Sequence, residues 1–247
     1  MSSISVTTAR PGDAGLVVRV DTSAALASSL VADLAGLVDA AEDLRPGAVV
    51  VHLEGGDTPP ADRVWPGATE IVHVNRWEQV LRRLERLGAV TIAVVTGRCG
   101  GGALDLVLAC DYRIAAQDAS VAPPLCDSGQ VWPGMAVHRM TTQLGVREAR
   151  RLVLFPQELT ALEAVERKLI DEIAADPLAA ARDKAAQVKA ALVKAAQVKA
   201  AGDGGAEAAI RRRLVLDAAT TSFEESLGAH LAACDRTLRQ GEGEPAR

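Results

Sequence analysis

The sequence has few aromatic residues: they make up 2% of the 247 residues, with one Tyr, two Phe and three Trp. Side chains that could stack on nucleic-acid bases are therefore scarce. The formal net charge of −5 offers no basic face that could release counterions from a phosphate backbone or an anionic membrane. We therefore expect no nucleic-acid partner and an aliphatic core.

Long apolar runs and metal-ligand spacings are missing as well. No uninterrupted apolar run is long enough to span a bilayer, and the first residues lack the charged and apolar segments of a signal peptide. We therefore expect a cytoplasmic protein with no membrane partner. The four cysteines form no C-x-x-C pair and have no His at ligand spacing, which predicts reduced thiols and no metal site.

The first half of the chain alternates between strand patterns and helix patterns. Two β-rich runs around a turn cluster predict a hairpin within residues 4–20, and apolar spacing predicts a helix over 28–44. The continuous apolar run 48–53 is typical of a strand that is buried on both faces. A further helix and strand follow, so the alternation predicts an α/β fold with parallel pairing through crossover connections.

The second half of the chain is predicted to be helical. Helical patterns begin at residue 135 and continue to residue 240 with short interruptions. The length suffices for one sizeable core with a small appendage. We divide the chain into a core at residues 1–175 and a C-terminal helical region at residues 176–247.

A glycine turn follows the strand pattern that ends near residue 95. The turn reads GRCGGG at residues 97–102 and leads directly into a short apolar helix. Such a strand, turn and helix can aim unpaired backbone N–H groups at an anion. The spacing differs from the G-x-G-x-x-G of dinucleotide sites, and no Gly-Lys-Ser/Thr follows as in a P-loop.

Residues 97–111 resemble the crotonase (enoyl-CoA hydratase/isomerase) superfamily, in which the helix after the glycine turn ends in Cys-Asp, as Cys110-Asp111 does here. Residues 49–56, 132–134 and 160–171 resemble other segments of that family in the same order. The resemblance implies an α/β, crotonase-like ββα superhelical spiral. It also implies that the C-terminal helices build a homo-oligomer, a trimer or a hexamer.

The same resemblance implies roles for three residues. Gly102 takes the place of one oxyanion-hole donor, and Gly67 is the nearest match to the other, because the preceding Pro66 has no N–H to donate. Asp105 takes the place of the first catalytic Glu. An acid in the first turn of a helix is also favoured by the helix dipole alone, so a purely structural role for Asp105 stays open.

Substrate contacts are implied for Gly101, Leu125, Asp127 and Trp132. Leu125 stands where the second catalytic Glu of the family is expected, and a Leu cannot transfer protons. Asp127 lies two residues further on, where it also fits a simple turn before Ser-Gly. The resemblance implies an acyl-CoA substrate and no cofactor beyond the CoA of that thioester.

The segment NRWE at residues 75–78 and the loop 130–134 resemble one subgroup of the family, the B-type proteins of dihydroxyphenylglycine biosynthesis. This implies a CoA-thioester dehydratase or isomerase that assists a type III polyketide synthase in forming dihydroxyphenylacetyl-CoA, a precursor for glycopeptide-type antibiotics. The alternative is a crotonase-fold partner that has lost its acid/base set and stimulates the synthase by binding. Leu125 and Pro66 favour the partner, whereas the glycine turn and Asp105 favour the enzyme.

Overall fold

The computed structural model describes residues 4–7, 16–21, 25–55, 65–123, 125–126, 129, 131–198 and 204–241. The strands within them are β1 (Ile4–Thr7), β2 (Leu16–Asp21), β3 (Ala48–Glu54), β4 (Val90–Thr96), β5 (Arg98–Cys99), β6 (Tyr112–Ala116), β7 (Ser120–Val121), β8 (Leu159–Thr160) and β9 (Glu172–Ala174). The helices are α1 (Ser28–Leu44), α2 (Ile71–Glu85), α3 (Gly102–Ala109), α4 (Met135–Leu144), α5 (Val146–Leu154), α6 (Ala161–Glu166), α7 (Pro177–Val198), α8 (Gly204–Ala218) and α9 (Phe223–Gly241).

The described strands form a larger and a smaller sheet. The larger sheet has the order β1-β2-β3-β4-β6-β9, and the smaller sheet has the order β5-β7-β8. β1 and β2 pair antiparallel, which confirms the predicted hairpin pairing, while β2, β3, β4, β6 and β9 pair parallel. Because parallel neighbours need crossover connections, helices lie between the strands in sequence, and the predicted α/β class is confirmed.

Strand β3 is buried on both faces, as its unbroken apolar run predicts. Successive side chains of a strand point to opposite faces. Val49 and Val51 join the main core, whereas Val50 belongs to a second cluster that also contains Ala181 and Ala185 of α7. Helix α7 thus covers the sheet face opposite the main core. The division of the chain at residues 175 and 176 stays a prediction, and the first helix beyond it packs directly on the sheet.

Helices α1 and α2 cover the main-core face of the sheet. The buried side chains of α1 recur at helical spacing and form one apolar stripe that includes Leu34, Leu37 and Val38. The buried side of α2 carries Trp77 and Leu81, along with Val80 and Leu84. This packing fixes the side of α2 that faces α3.

The C-terminal helices α8 and α9 follow α7. Arg212 of α8 donates from Nε to Asp111 Oδ1 at 2.7 Å and from Nη1 to the Leu87 carbonyl at 2.7 Å, which ties α8 to the core. On α9, Phe223, Leu227 and Leu231 recur every four residues and are 76%, 42% and 57% exposed. No helix in the described part of the chain is both long and apolar enough to cross a membrane.

Candidate active site

The glycine turn ends in a helix whose first N–H is unpaired. Gly101 has a φ of +56°, a conformation that suits glycine, and α3 begins at the next residue, Gly102. The Ala103 N–H donates to the Gly100 carbonyl and the Leu104 N–H to the Gly101 carbonyl. The Gly102 N–H has no carbonyl acceptor among the described residues. It therefore remains available as the hydrogen-bond donor that the sequence predicts.

The indole ring of Trp65 covers this turn. A Cβ atom added to Gly102 would lie 2.4 Å from Cη2 of Trp65, and one added to Gly101 would lie 3.3 Å from Cβ of Trp65. Trp65 is 3% exposed, and its buried Nε1 has no hydrogen-bond partner among the residues that the structure describes. Its backbone N–H donates to the Leu125 carbonyl at 2.8 Å. Trp65 thus contacts the glycine turn through its ring and Leu125 through its backbone.

Asp105 lies one helical turn after Gly102, and its carboxyl group is buried. The residue is 4% exposed, and Trp77 Nε1 donates to its Oδ2 at 3.1 Å. The pKa of Asp105 is raised from 3.8 to about 7, chiefly by burial and next by the negative charge of Glu78, whereas the Trp77 hydrogen bond and the charge of Arg139 act in the opposite direction. A carboxyl group with this pKa can take up or release a proton near neutral pH.

Two tryptophans connect the glycine turn to this carboxyl group. The rings of Trp65 and Trp77 meet edge to face with their centroids 5.6 Å apart. Trp65 packs on Gly102, and Trp77 hydrogen-bonds to Asp105. The predicted oxyanion donor and the predicted acid/base residue therefore share one buried aromatic neighbourhood.

Arg139 of α4 reaches the same carboxyl group and was not predicted from the sequence. Its Nη1 lies 4.0 Å from Asp105 Oδ1 and 2.9 Å from Glu78 Oε2, and its Nε donates to Glu85 Oε1 at 2.6 Å. The sequence did contain a signal for Arg139, because its spacing places it on the same buried side of α4 as Ala136 and Met140. A charged residue on an apolar stripe indicates a buried partner.

The remaining predicted residues are placed as follows. Gly67 has a φ of +74° and lies two residues after Trp65. Trp132 packs over the start of α4, where a Cβ atom on Gly134 would lie 2.5 Å from its Nε1; none of its described contacts joins it to Gly102. Asp127 lies outside the described residues. Within those residues, no three His, Cys, Asp or Glu side chains are grouped as a metal site would require.

The contact between Gly102 and Trp65 predicts that Gly102→Ala destabilises the fold. The added methyl group would meet Cη2 of a buried ring at 2.4 Å, and accommodating it costs about 1–3 kcal/mol. Urea unfolding of parent and variant measures this loss. Gly36→Ala in α1, whose Cβ would meet nothing within 4 Å, is the matched control and is expected to gain about 0.5–1 kcal/mol. An unchanged stability of Gly102→Ala would contradict the described contact.

Comparison with known proteins agrees with this architecture. The model of the enoyl-CoA hydratase/isomerase family matches residues 66–225. A protein described as an enoyl-CoA-hydratase from Amycolatopsis orientalis is 43% identical over 228 residues, which cover 91% of this chain and 96% of the relative. A short-chain-enoyl-CoA hydratase from Clostridium acetobutylicum is 32% identical over 96 residues, and the chain matches 36% of that relative's length.

Solved structures of the family share the fold over nearly the whole chain. An enoyl-CoA hydratase from Thermoplasma volcanium superimposes with a TM-score of 0.76 at 17% identity, covering 97% of this chain and 93% of the other. One from Bacillus anthracis gives a TM-score of 0.73 at 18% identity, with 96% and 91% covered. The predicted crotonase-type fold with a C-terminal helical region is thereby confirmed. The chain belongs to the enoyl-CoA hydratase/isomerase family.

Proposed function

We propose that this enzyme-family member is a dehydratase- or isomerase-like enzyme that acts on a CoA thioester and assists a type III polyketide synthase in forming dihydroxyphenylacetyl-CoA. The observation that carries the chemical part is the carboxyl group of Asp105. It is buried, lies one helical turn after the unpaired Gly102 N–H, and has its pKa raised to about 7. A thioester held at Gly102 would therefore meet a base that is suited to neutral pH.

The proposed chemistry forms an enolate and moves one proton. The thioester oxygen accepts a hydrogen bond from the Gly102 N–H, and the Asp105 carboxylate takes the proton from the α-carbon while the electron pair moves to that oxygen. The helix N-terminus stabilises the negative charge, and one such donor is worth about 3 kcal/mol in the transition state. Gly67 is proposed as the second donor. In a dehydration, the enolate electron pair forms the Cα=Cβ double bond, and the β-hydroxyl takes the proton from Asp105 and leaves as water. In an isomerisation, the proton goes to the γ-carbon of the dienolate, the thioester carbonyl re-forms and the double bond is left between Cα and Cβ.

Substrate binding at Gly102 is proposed to take place beside Trp65. Its indole ring packs on the side of Gly102 where a Cβ atom would lie, 2.4 Å from that position, so the ring borders the turn that would hold the thioester oxygen. Gly101, Leu125, Asp127 and Trp132 are proposed to line the acyl group. A CoA thioester and a synthase partner also fit the cytoplasmic location that the sequence predicts.

Three observations favour a second candidate function, a partner that stimulates the synthase by binding alone. Trp65 packs against the glycine turn, and Asp105 is only 4% exposed. Leu125 in addition provides no second acid at the expected position. A protein with these features can contact the synthase without performing chemistry on its product.

The enzyme proposal predicts that Asp105→Asn loses the stimulation of aromatic product formation. A positioned acid/base group contributes about 10² to 10⁴ in rate, and Asn cannot replace it. Because the carboxylate is the active form, stimulation by the parent should rise with pH through a midpoint near 7 and level off above it. The measurement is product formation by the purified synthase with and without this protein.

Hydration of crotonyl-CoA should be negligible, because only one carboxyl group occupies a position expected for catalysis.

The matched control is Asp118→Asn, which alters an exposed turn residue and should stimulate as the parent does. If Asp105→Asn also stimulated as the parent does, the partner function would replace the enzyme function. Turnover of crotonyl-CoA at ordinary enzyme rates would contradict the single-carboxyl chemistry.

We also propose that the chain forms a homo-oligomer, a trimer or a hexamer, through its C-terminal helices. The exposed apolar stripe Phe223, Leu227 and Leu231 of α9 supports this, because water-exposed apolar stripes are characteristic of interaction surfaces. Light scattering at micromolar concentration should give at least three times the mass of the chain. A monomer under those conditions would contradict the proposal.

A further inference from the structure

A group of charged side chains is enclosed where α2, α3 and α4 meet. Glu78 and Glu85 come from α2, Asp105 from α3 and Arg139 from α4. Their exposed side-chain fractions are 18%, 24%, 5% and 6%. The two Glu residues are seven positions apart, so they lie on the same side of α2. Trp77 adds one N–H donor, on Asp105 Oδ2.

Three buried atoms of this group make no well-aligned hydrogen bond within the described part of the chain. They are Glu78 Oε2, Asp105 Oδ1 and Arg139 Nη1. The Arg139 nitrogen lies 2.9 Å from the Glu78 oxygen, which is an ion-pair distance, and 4.0 Å from the Asp105 oxygen, so both carboxyl groups border the same nitrogen. Buried polar atoms normally have hydrogen-bond partners, and exceptions call for an explanation such as a catalytic role. The two carboxyl groups therefore meet at one buried nitrogen.

The charges of the group favour retention of one proton. Three carboxyl groups face a single guanidinium, and two carboxylates that border one buried nitrogen repel each other. Asp105 is enclosed, whereas the side chain of Glu78 is partly exposed. Of the two carboxyl groups that border Arg139 Nη1, that of Glu78 is therefore the more exposed to solvent.

We propose that Glu78 is the proton-exchange partner of Asp105, the second carboxyl group of the site, contributed by α2 rather than by the position of Leu125. This inference rests on the proposed role of Asp105 as the base. The α C–H bond of the thioester breaks and an O–H bond forms on Asp105. That O–H bond then breaks beside Arg139 Nη1 as one forms on Glu78, which exchanges the proton with water. A solvent proton returns along the same path to Asp105, which delivers it to the enolate. Glu78 acts through Asp105, so it is a positioning residue.

Glu85 provides the matched comparison. It binds the same guanidinium, but on Nε at 2.6 Å, away from the nitrogen that borders Asp105. Its charge is also the smallest of the influences on the pKa of Asp105, whereas that of Glu78 is the largest among the charged neighbours. Removing the charge of Glu85 therefore tests whether the loss of any carboxylate contact to Arg139 has the same effect as the loss of Glu78.

The experiment measures exchange of the α-protons of phenylacetyl-CoA with solvent deuterium, followed by NMR across pH 5–9. Glu78→Gln should slow solvent exchange by about tenfold or more relative to the parent. It should also move the half-maximal pH downward, because a negative neighbour of Asp105 is lost. Glu85→Gln should stay within about twofold of the parent, and Glu78→Asp should recover part of the rate.

The outcomes separate this inference from the proposed function. If the parent exchanges the α-protons no faster than Asp105→Asn does, the role of Asp105 itself is overturned. The role of Glu78 alone is overturned if the parent exchanges the α-protons and Glu78→Gln exchanges them equally fast. It is also overturned if Glu78→Gln and Glu85→Gln lower the exchange rate equally. If thermal melting shows that Glu78→Gln does not fold, Glu78→Asp is compared with Glu85→Gln instead. The inference is overturned if these two variants have the same exchange rate and the same half-maximal pH.

Discussion

The hydrogen bond from the Trp77 indole to the buried Asp105 carboxyl group determines how the rest of the site is arranged. Trp77 is held in the core by α2, and Asp105 is held in the first turn of α3, so the bond joins two elements that flank the glycine turn. Enclosing a carboxyl group in this way disfavours its charged form. Arg139 compensates only in part, because its nearest nitrogen lies 4.0 Å away and also faces Glu78.

This arrangement has a cost in stability with a defined pH dependence. The pKa of Asp105 is about 7 in the folded chain and 3.8 in the reference state, so between these values the folded chain binds more protons than the unfolded chain. The contribution of Asp105 to the free energy of unfolding therefore falls as the pH rises through this range. From pH 5 to pH 8 the loss is about 2 to 3 kcal/mol. A protein that keeps such a carboxyl group maintains a proton-transfer group at neutral pH at the expense of stability.

The fold could be predicted from the sequence because it depends on local patterns. The turn after β4 and helical spacing along α3 also place Gly102 and Asp105 one helical turn apart, whereas their roles stay predictions. Trp65, Glu78 and Arg139 come from segments that are distant in sequence. Glu78 resembles an ordinary surface charge until the packing of α2 on α3 is known, and the spacing that places Arg139 on the apolar side of α4 does not identify its partners. The covering position of Trp65 likewise depends on a close approach to Gly102 that no sequence spacing encodes.

The account rests on Asp105 carrying a proton that it releases near neutral pH. Infrared difference spectra of the parent against Asp105→Asn, recorded as the pH is raised, follow the carbonyl band of a protonated carboxyl group at this position. The account predicts a band that disappears with a midpoint near pH 7, the pKa expected for the buried group. A midpoint near the ordinary Asp value of about 4 would show that Asp105 is ionised throughout and would contradict the account.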